Sequence, residues 1–147
     1  MEEKSKNIGI KVKLPGKKCN DKDCPFHGRL KCRGKILTGV VISAKMQKTA
    51  TVEFERQGYL PKYERYEKRR TRIKAHNPDC IDAKDGDIVR ISECRPLSKT
   101  KNFVVIENLG KEKGFKERME SLEESKTRKK EKEEIKEEDA GNKSESN

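Results

Sequence analysis

Apolar residues in this chain gather in short runs between residues 36 and 106 and thin out on either side. Ile36-Leu37-Thr38-Gly39-Val40-Val41-Ile42-Ser43-Ala44 is β-branched and apolar, which suits a pleated strand, with Gly39 as a bulge or coil point. Lys45 to Lys48 reads as a tight connection. Ala50, Val52 and Phe54 then face one way, against Thr49, Thr51, Glu53 and Glu55. That period of two predicts a half-buried strand with Phe54 committed to the core, ended by Gly58 and Pro61. Over residues 66–76 one face carries Tyr66, Lys68, Arg70, Arg72, Lys74 and His76. The other carries Glu67, Arg69, Thr71, Ile73 and Ala75, so only its later half can pack a core. Gly86-Asp87 opens a fourth strand in which Val89, Ile91 and Glu93 alternate with Ile88, Arg90, Ser92 and Cys94. Pro96 has no amide hydrogen for a ladder and stops it, and Val104 and Ile106 belong to a fifth.

Five short strands in so few residues predict an all-β fold, because closing a small sheet into a barrel removes its exposed edges. The five-stranded Greek-key barrel of this size is the OB-fold, expected here over residues 33–107. Such barrels often carry a helix between strands three and four, but Pro78 to Asp85 is too short and too polar to make a full one. Residues 1–32 are polar, broken by Pro15 and Pro25, and read as an extended N-terminal arm with little regular structure. Residues 108–147 form a charged tail, helical or disordered, with Glu112 and Lys116, then Glu124 and Arg128, four apart. Phe115, Met119 and Leu122 suffice for a brief docking face, and the end of the tail is expected to be disordered.

Charge changes the picture from fold to partner. Lys and Arg number 37 against 26 Asp and Glu, a net +11, with the excess carried by the arm and barrel while the tail is close to balanced. A basic body points to a polyanion. Tyr63 and Tyr66 interleave with Arg65, Lys68, Arg69, Arg70 and Arg72, mixing stacking surfaces with guanidinium forks that fit phosphate. Such a run can also be a plain solvated face, but like charges stacked along one strand repel and call for a counter-charge. The turn after Pro96 presents Arg95, Ser98, Lys99, Thr100 and Lys101, the donors that grip phosphates. RNA is the partner these groups suit best. No apolar run is long enough to span a bilayer, and the first residues have no apolar signal core. The chain is therefore expected to work in the cytoplasm, without a membrane or a small-molecule substrate.

Five cysteines in a chain with no export signal argue for reduced thiols or a metal over disulfides. Cys19, Cys24, His27 and Cys32 offer tetrahedral ligand types, but the gap between the first two cysteines is longer than the two residues usual in zinc ribbons and knuckles. Free thiols and no cofactor are the expectation, with a structural zinc on those four residues as the alternative. Cys94 reads as a small buried side chain, and Cys80 as the same. A nucleophilic pair of Cys80 with His76 lacks an acidic orienter and an oxyanion motif. There is no phosphate-cradling glycine loop and no paired catalytic carboxylates stand out, so the chain is not expected to be an enzyme.

From Gly86 to Ser98 the residues resemble the signature of the universal small-subunit ribosomal protein family numbered seventeen, whose eukaryotic counterpart is numbered eleven. Cys24-Pro25-Phe26-His27-Gly28, Gly39 to Thr49, Pro61 to Arg70 and Ala75-His76-Asn77-Pro78 are similar to its archaeal branch, and the likeness spans about residues 7–107. It implies an OB-fold constituent of the small subunit that binds its ribosomal RNA early in assembly, beside other small-subunit proteins. It also implies RNA contact through Lys45, Gln47, Lys48 and Thr49, through the strand from Tyr63 past Lys74 to His76 and Asn77, and through Arg95 to Lys101. The competing reading is a free OB-fold factor that binds single-stranded RNA or acts as an RNA chaperone in translation. That factor would want aromatic platforms on its sheet, and the chain has only 3 Tyr and 4 Phe.

Overall fold

A computed structural model describes residues 6–125, 127 and 128 of the chain. Those beyond 128, where the sequence suggested a disordered end, lie outside the described residues. The chain divides into two compact units, Met1–Glu112 and Lys113–Asn147. In the second, a helix runs over 115–125, where the four-residue charge spacing had suggested one.

The first unit holds strands β1 (Cys32–Met46), β2 (Thr49–Leu60), β3 (Arg65–His76), β4 (Asp87–Cys94) and β5 (Lys101–Lys111). They close in the order β1-β2-β3-β5-β4, with β4 returning to pair with β1 and β3 running parallel to β5. This is the expected all-β, OB-type barrel. The strands are longer than the sequence pattern suggested, and β5 continues to Lys111. No helix joins β3 to β4; residues 77–86 form turns in which the Asn77 side chain holds Ala83 by both its amide and its carbonyl.

Val41, Ala50, Val52, Ala75, Val89, Ile91 and Val105 fill the interior, with Ala83 capping one end. Each Val or Ile buried there contributes about 1.5–3 kcal/mol. Phe54 is outside this cluster and only half buried, because β2 is already leaving the barrel at that point. Gly39 is no bulge: it pairs in register with Val89, and the irregularities of β1 lie near Cys32 and between Val41 and Met46. A Cβ at Gly39 would lie 2.6 Å from the carbonyl oxygen of Glu53 and 2.8 Å from Val52 Cγ1, so the glycine permits the close crossing of β1 and β2. Gly39→Ala is expected to destabilise the barrel by about 1–3 kcal/mol, since a backbone oxygen cannot step aside as a side chain can. An unchanged urea midpoint would refute this.

The arm lacks regular structure, as expected, yet it is part of the fold. Leu30 packs with Cys94, Val104 and Ile106 on the outer face of β4 and β5, with Ile8, Ile10 and Val12 alongside. Phe26 is fully buried with Cys24 and Cys80. The arm is pinned by Lys13, whose amide donates to Glu107 Oε1, and by Arg90, which bonds both Glu107 Oε2 and the Lys11 carbonyl. Val104, Val105 and Ile106 are therefore all at zero exposure in consecutive positions, which a strand achieves only when both its faces are covered.

A candidate nucleic-acid interface

β2 and β3 pair without a bulge from Thr49 opposite His76 to Leu60 opposite Arg65. Beyond Glu53 and Arg72 no residue of this hairpin is fully buried, so its outer half projects from the barrel by roughly 20 Å at about 3.3 Å per residue. Pro61 ends β2, whereas Gly58 lies within the ladder opposite Glu67. A short 3-10 turn over Pro61–Tyr63 and the left-handed Glu64 (φ 50°) reverse the chain.

The hairpin carries exposed aromatic and cationic groups together. Tyr59, Tyr63 and Tyr66 are 52%, 63% and 71% exposed. Tyr59 is the cross-strand partner of Tyr66, with ring centroids 5.1 Å apart, and the Lys62 ammonium sits 5.4 Å from the Tyr63 ring centre. The sequence reading missed Tyr59. Folding the chain about Lys62-Tyr63 places it opposite Tyr66, so the hairpin register was the signal available.

The basic strand is partly neutralised from within. Arg72 bonds the buried Glu53 at 2.8 Å, Arg70 lies 3.9 Å from Glu55, and Arg69 pairs with Glu67. Part of the counter-charge that like charges along one strand call for is thus supplied by β2. Among the described residues, no carboxylate lies within ion-pair distance of Arg65, Lys68 or Lys74, all exposed on the same strand.

The other predicted contacts gather at the base of the hairpin. Lys74 pairs with Lys101 across the parallel β3–β5 ladder, and Lys101 Nζ donates to Thr49 Oγ1 at 3.2 Å. The turn between β4 and β5 is closed by the Leu97 amide on the Lys101 carbonyl and the Lys101 amide on Ser98 Oγ, leaving Ser98, Lys99 and Thr100 exposed. Arg95 bonds Asp23 of the arm at 2.8 Å and remains exposed. At the end of β1 and in the turn before β2, Lys45 and Gln47 are exposed, while Lys48 stands 3.6 Å from both Asp21 and Asp79. Asp21 first, and Asp79 with it, hold the Lys48 ammonium above its usual range.

Thr49, His76 and Asn77 differ from the expectation. All three are buried, because arm and turn cover this end of the sheet. His76 Nε2 donates to Asp21 Oδ2 at 2.9 Å, so His76 belongs to the packing of the arm and is not paired with Cys80. Burial would raise the Asp21 carboxyl, but the Asp23 amide, the neighbouring His76 and the Lys48 ammonium outweigh it and hold that group below its usual range.

The cysteines also regroup. Cys19, Cys24 and His27 come together as the sequence suggested, but the fourth member is Cys80. Cys32 sits on β1 opposite Cys94, packed beside Leu30 and Val104, because β1 carries it away along the barrel. Cys19 Sγ and Cys24 Sγ lie 3.3 and 3.6 Å from His27 Nδ1, and Cys24 Sγ lies 3.6 Å from Cys80 Sγ. A hydrogen bond from Cys80 pulls the Cys24 thiol well below its usual range, while the same bond and burial push Cys80 up. Burial, with the nearby Cys94, pushes Cys32 up to about 11, so it stays a thiol.

The model of the family described as "Ribosomal protein S17" matches residues 39–107, from the crossing glycine of β1 to the buried glutamate of β5. The small ribosomal subunit protein uS17 of Methanopyrus kandleri is 63% identical over 105 residues, covering 71% of this chain and 89% of that protein. Its counterpart in Methanocaldococcus jannaschii is 57% identical over 107 residues, covering 73% and 92%. That of Methanococcus vannielii is 58% identical over 101 residues, covering 69% and 93%. With an OB-type barrel, a basic aromatic hairpin and matches at this identity over more than two thirds of its length, the chain belongs to the uS17 family of small ribosomal subunit proteins.

Proposed function

We propose that this constituent of the small ribosomal subunit binds small-subunit ribosomal RNA directly, through the β2–β3 hairpin and the two turns at its base, early in assembly. The observation that carries this reading is the set of uncompensated cations Arg65, Lys68 and Lys74 on the strand of the exposed Tyr66. Lys68 and Lys74 share one face of β3 with Tyr66, and Lys74 ends next to Lys101, while Arg65 stands on the opposite face at the hairpin tip, so folded RNA can be gripped along and around the hairpin. The hairpin ladder is formed wholly within the chain, β2 against β3, which suits a protein that joins bare RNA.

The test is binding of the full chain to protein-free small-subunit RNA over a range of salt. Each phosphate contact releases counterions and adds about 0.7–0.9 to the log-log slope. Six contacts would cost roughly a thousandfold in affinity between about 50 and 200 mM salt. Equal affinity for an unstructured homopolymer strand would instead favour the free single-strand factor. A flat salt dependence would rule out phosphate recognition altogether.

A further inference from the structure

The four residues Cys19, Cys24, His27 and Cys80 form a soft donor set that the RNA interface does not use. Their ligand atoms all lie within 4.8 Å of one another. Around a tetrahedral zinc ion with bonds of about 2.3 Å to sulfur and 2.0 Å to nitrogen, sulfurs stand about 3.8 Å apart and sulfur and nitrogen about 3.5 Å. Three of the six separations, 3.6 Å for Cys24 to Cys80 and 3.3 and 3.6 Å for Cys19 and Cys24 to His27 Nδ1, are close to those edges, and the others are at most 4.8 Å.

From this geometry we infer that Cys19, Cys24, His27 and Cys80 hold a structural zinc ion that fastens the N-terminal arm to the turn between β3 and β4. Three thiolates and one imidazole match zinc better than the hard cations, which prefer oxygen. Four protein ligands leave no open position, so the ion is a staple with no catalytic part.

The local fold already shapes the ligand loop. The Gly28 amide donates to the Cys24 carbonyl and the Cys24 amide to the Asp21 carbonyl. A Cβ at Gly28 would lie 2.4–2.7 Å from the carbonyl oxygens of Lys22, Asp21 and Cys24, so the knuckle tightens around a residue with no side chain. A surface cavity of about 710 Å³ reaches Cys19 and His27 between Lys18, Lys22, Arg29 and Arg95. It offers an entry path, and its Lys and Arg side chains outnumber the Asp21 and Asp23 carboxylates beside them, which leaves positive charge facing a zinc bound by three thiolates. The four-residue gap between Cys19 and Cys24 is not that of a ribbon or knuckle, and it need not be, because the fourth ligand comes from a turn 56 residues beyond Cys24 and the fold, not a linear motif, assembles the set.

The experiment is metal analysis and cobalt substitution on the full chain, with Cys80→Ser and Cys32→Ser in parallel. After purification with zinc chloride, one zinc per chain is expected in the wild type and in Cys32→Ser. Cys80→Ser should bind cobalt at least about 100-fold more weakly, as even outer-shell changes cost 10–100-fold. Cobalt(II) chloride added to the metal-free wild type should give the intense visible bands of a tetrahedral ion with thiolate charge transfer, displaced by zinc. A zinc-free wild type, or loss of metal in Cys32→Ser while Cys80→Ser keeps it, overturns the assignment. Should Cys80→Ser fail to fold, the wild-type cobalt spectrum decides alone: the pale spectrum of an octahedral ion refutes the site.

Discussion

Val52→Asp is expected to leave the chain unfolded at neutral pH. Val52 is completely buried, paired with Val41 on one side and Ile73 on the other, at the middle of the barrel wall. No described side chain of the interior cluster can pair with a carboxylate. An ionised group there would lose its hydration, and even the protonated acid would bury a hydroxyl and a carbonyl at about 2–7 kcal/mol. With the lost valine packing, this matches the whole stability of a small domain, about 5–15 kcal/mol. The pH dependence follows from the same burial. The folded-state pKa of the new Asp is raised above its unfolded value of about 3.9, so the deficit relative to wild type is smallest below about pH 4 and grows as pH rises. Circular dichroism and amide dispersion check this, with Val52→Ala as the folded control. A native spectrum for Val52→Asp at pH 7 would show that the barrel interior admits water.

Removing Arg65, Lys68 and Lys74 together, each to Ala, should weaken binding to small-subunit RNA on the order of 10- to 100-fold, since an exposed ion pair is worth up to about 1 kcal/mol. The log-log salt slope should fall by about 2–3, close to one for each lost phosphate contact. The barrel should stay folded, because these side chains are exposed and hold no carboxylate. Arg70→Ala with Arg72→Ala is the less clean variant: Arg72 is bonded to the buried Glu53, so its loss disturbs the hairpin base as well as the surface. Titration by fluorescence anisotropy at several salt concentrations, with thermal melts of each variant, separates the two effects. Unchanged affinity and slope in the triple variant would make the hairpin a solvated face and move the interface elsewhere.

The barrel was legible because its strands alternate. Val52 between Thr51 and Glu53, and Val89 and Ile91 on either side of Arg90, announce one polar and one apolar side. What alternation could not show is the second dry face. Ser92 falls on the polar side of β4 by alternation yet is fully buried, and beside it the arm residue Leu30 packs on Cys94. The arm's own apolar residues, Ile8, Ile10, Val12, Phe26 and Leu30, are dispersed through Lys, Gly and Asp, and irregular chain has no period to betray which side is packed. The consecutive Val104-Val105-Ile106 was the sign that β5 is covered twice. At the interface, residue type identified the basic strand, but only pairing shows which cations are already satisfied by Glu53 and Glu55. Thr49, His76 and Asn77 were misplaced for the converse reason, since a polar side chain can serve the fold as readily as a ligand.

The arm's dependence on β5 has a consequence for how the chain is made. The ribosome delivers the arm first, yet Leu30 rests on Val104 and Ile106, and Cys24 on Cys80, all far downstream. At about 5–20 residues per second, the arm waits roughly 4–15 s between its own synthesis and that of β5. During that interval the thiols of Cys19 and Cys24 and the ring of Phe26 have no surface to cover them. The arm therefore folds last although it is born first, and it is in that window that the nascent chain is open to oxidation, to chaperones and to metal.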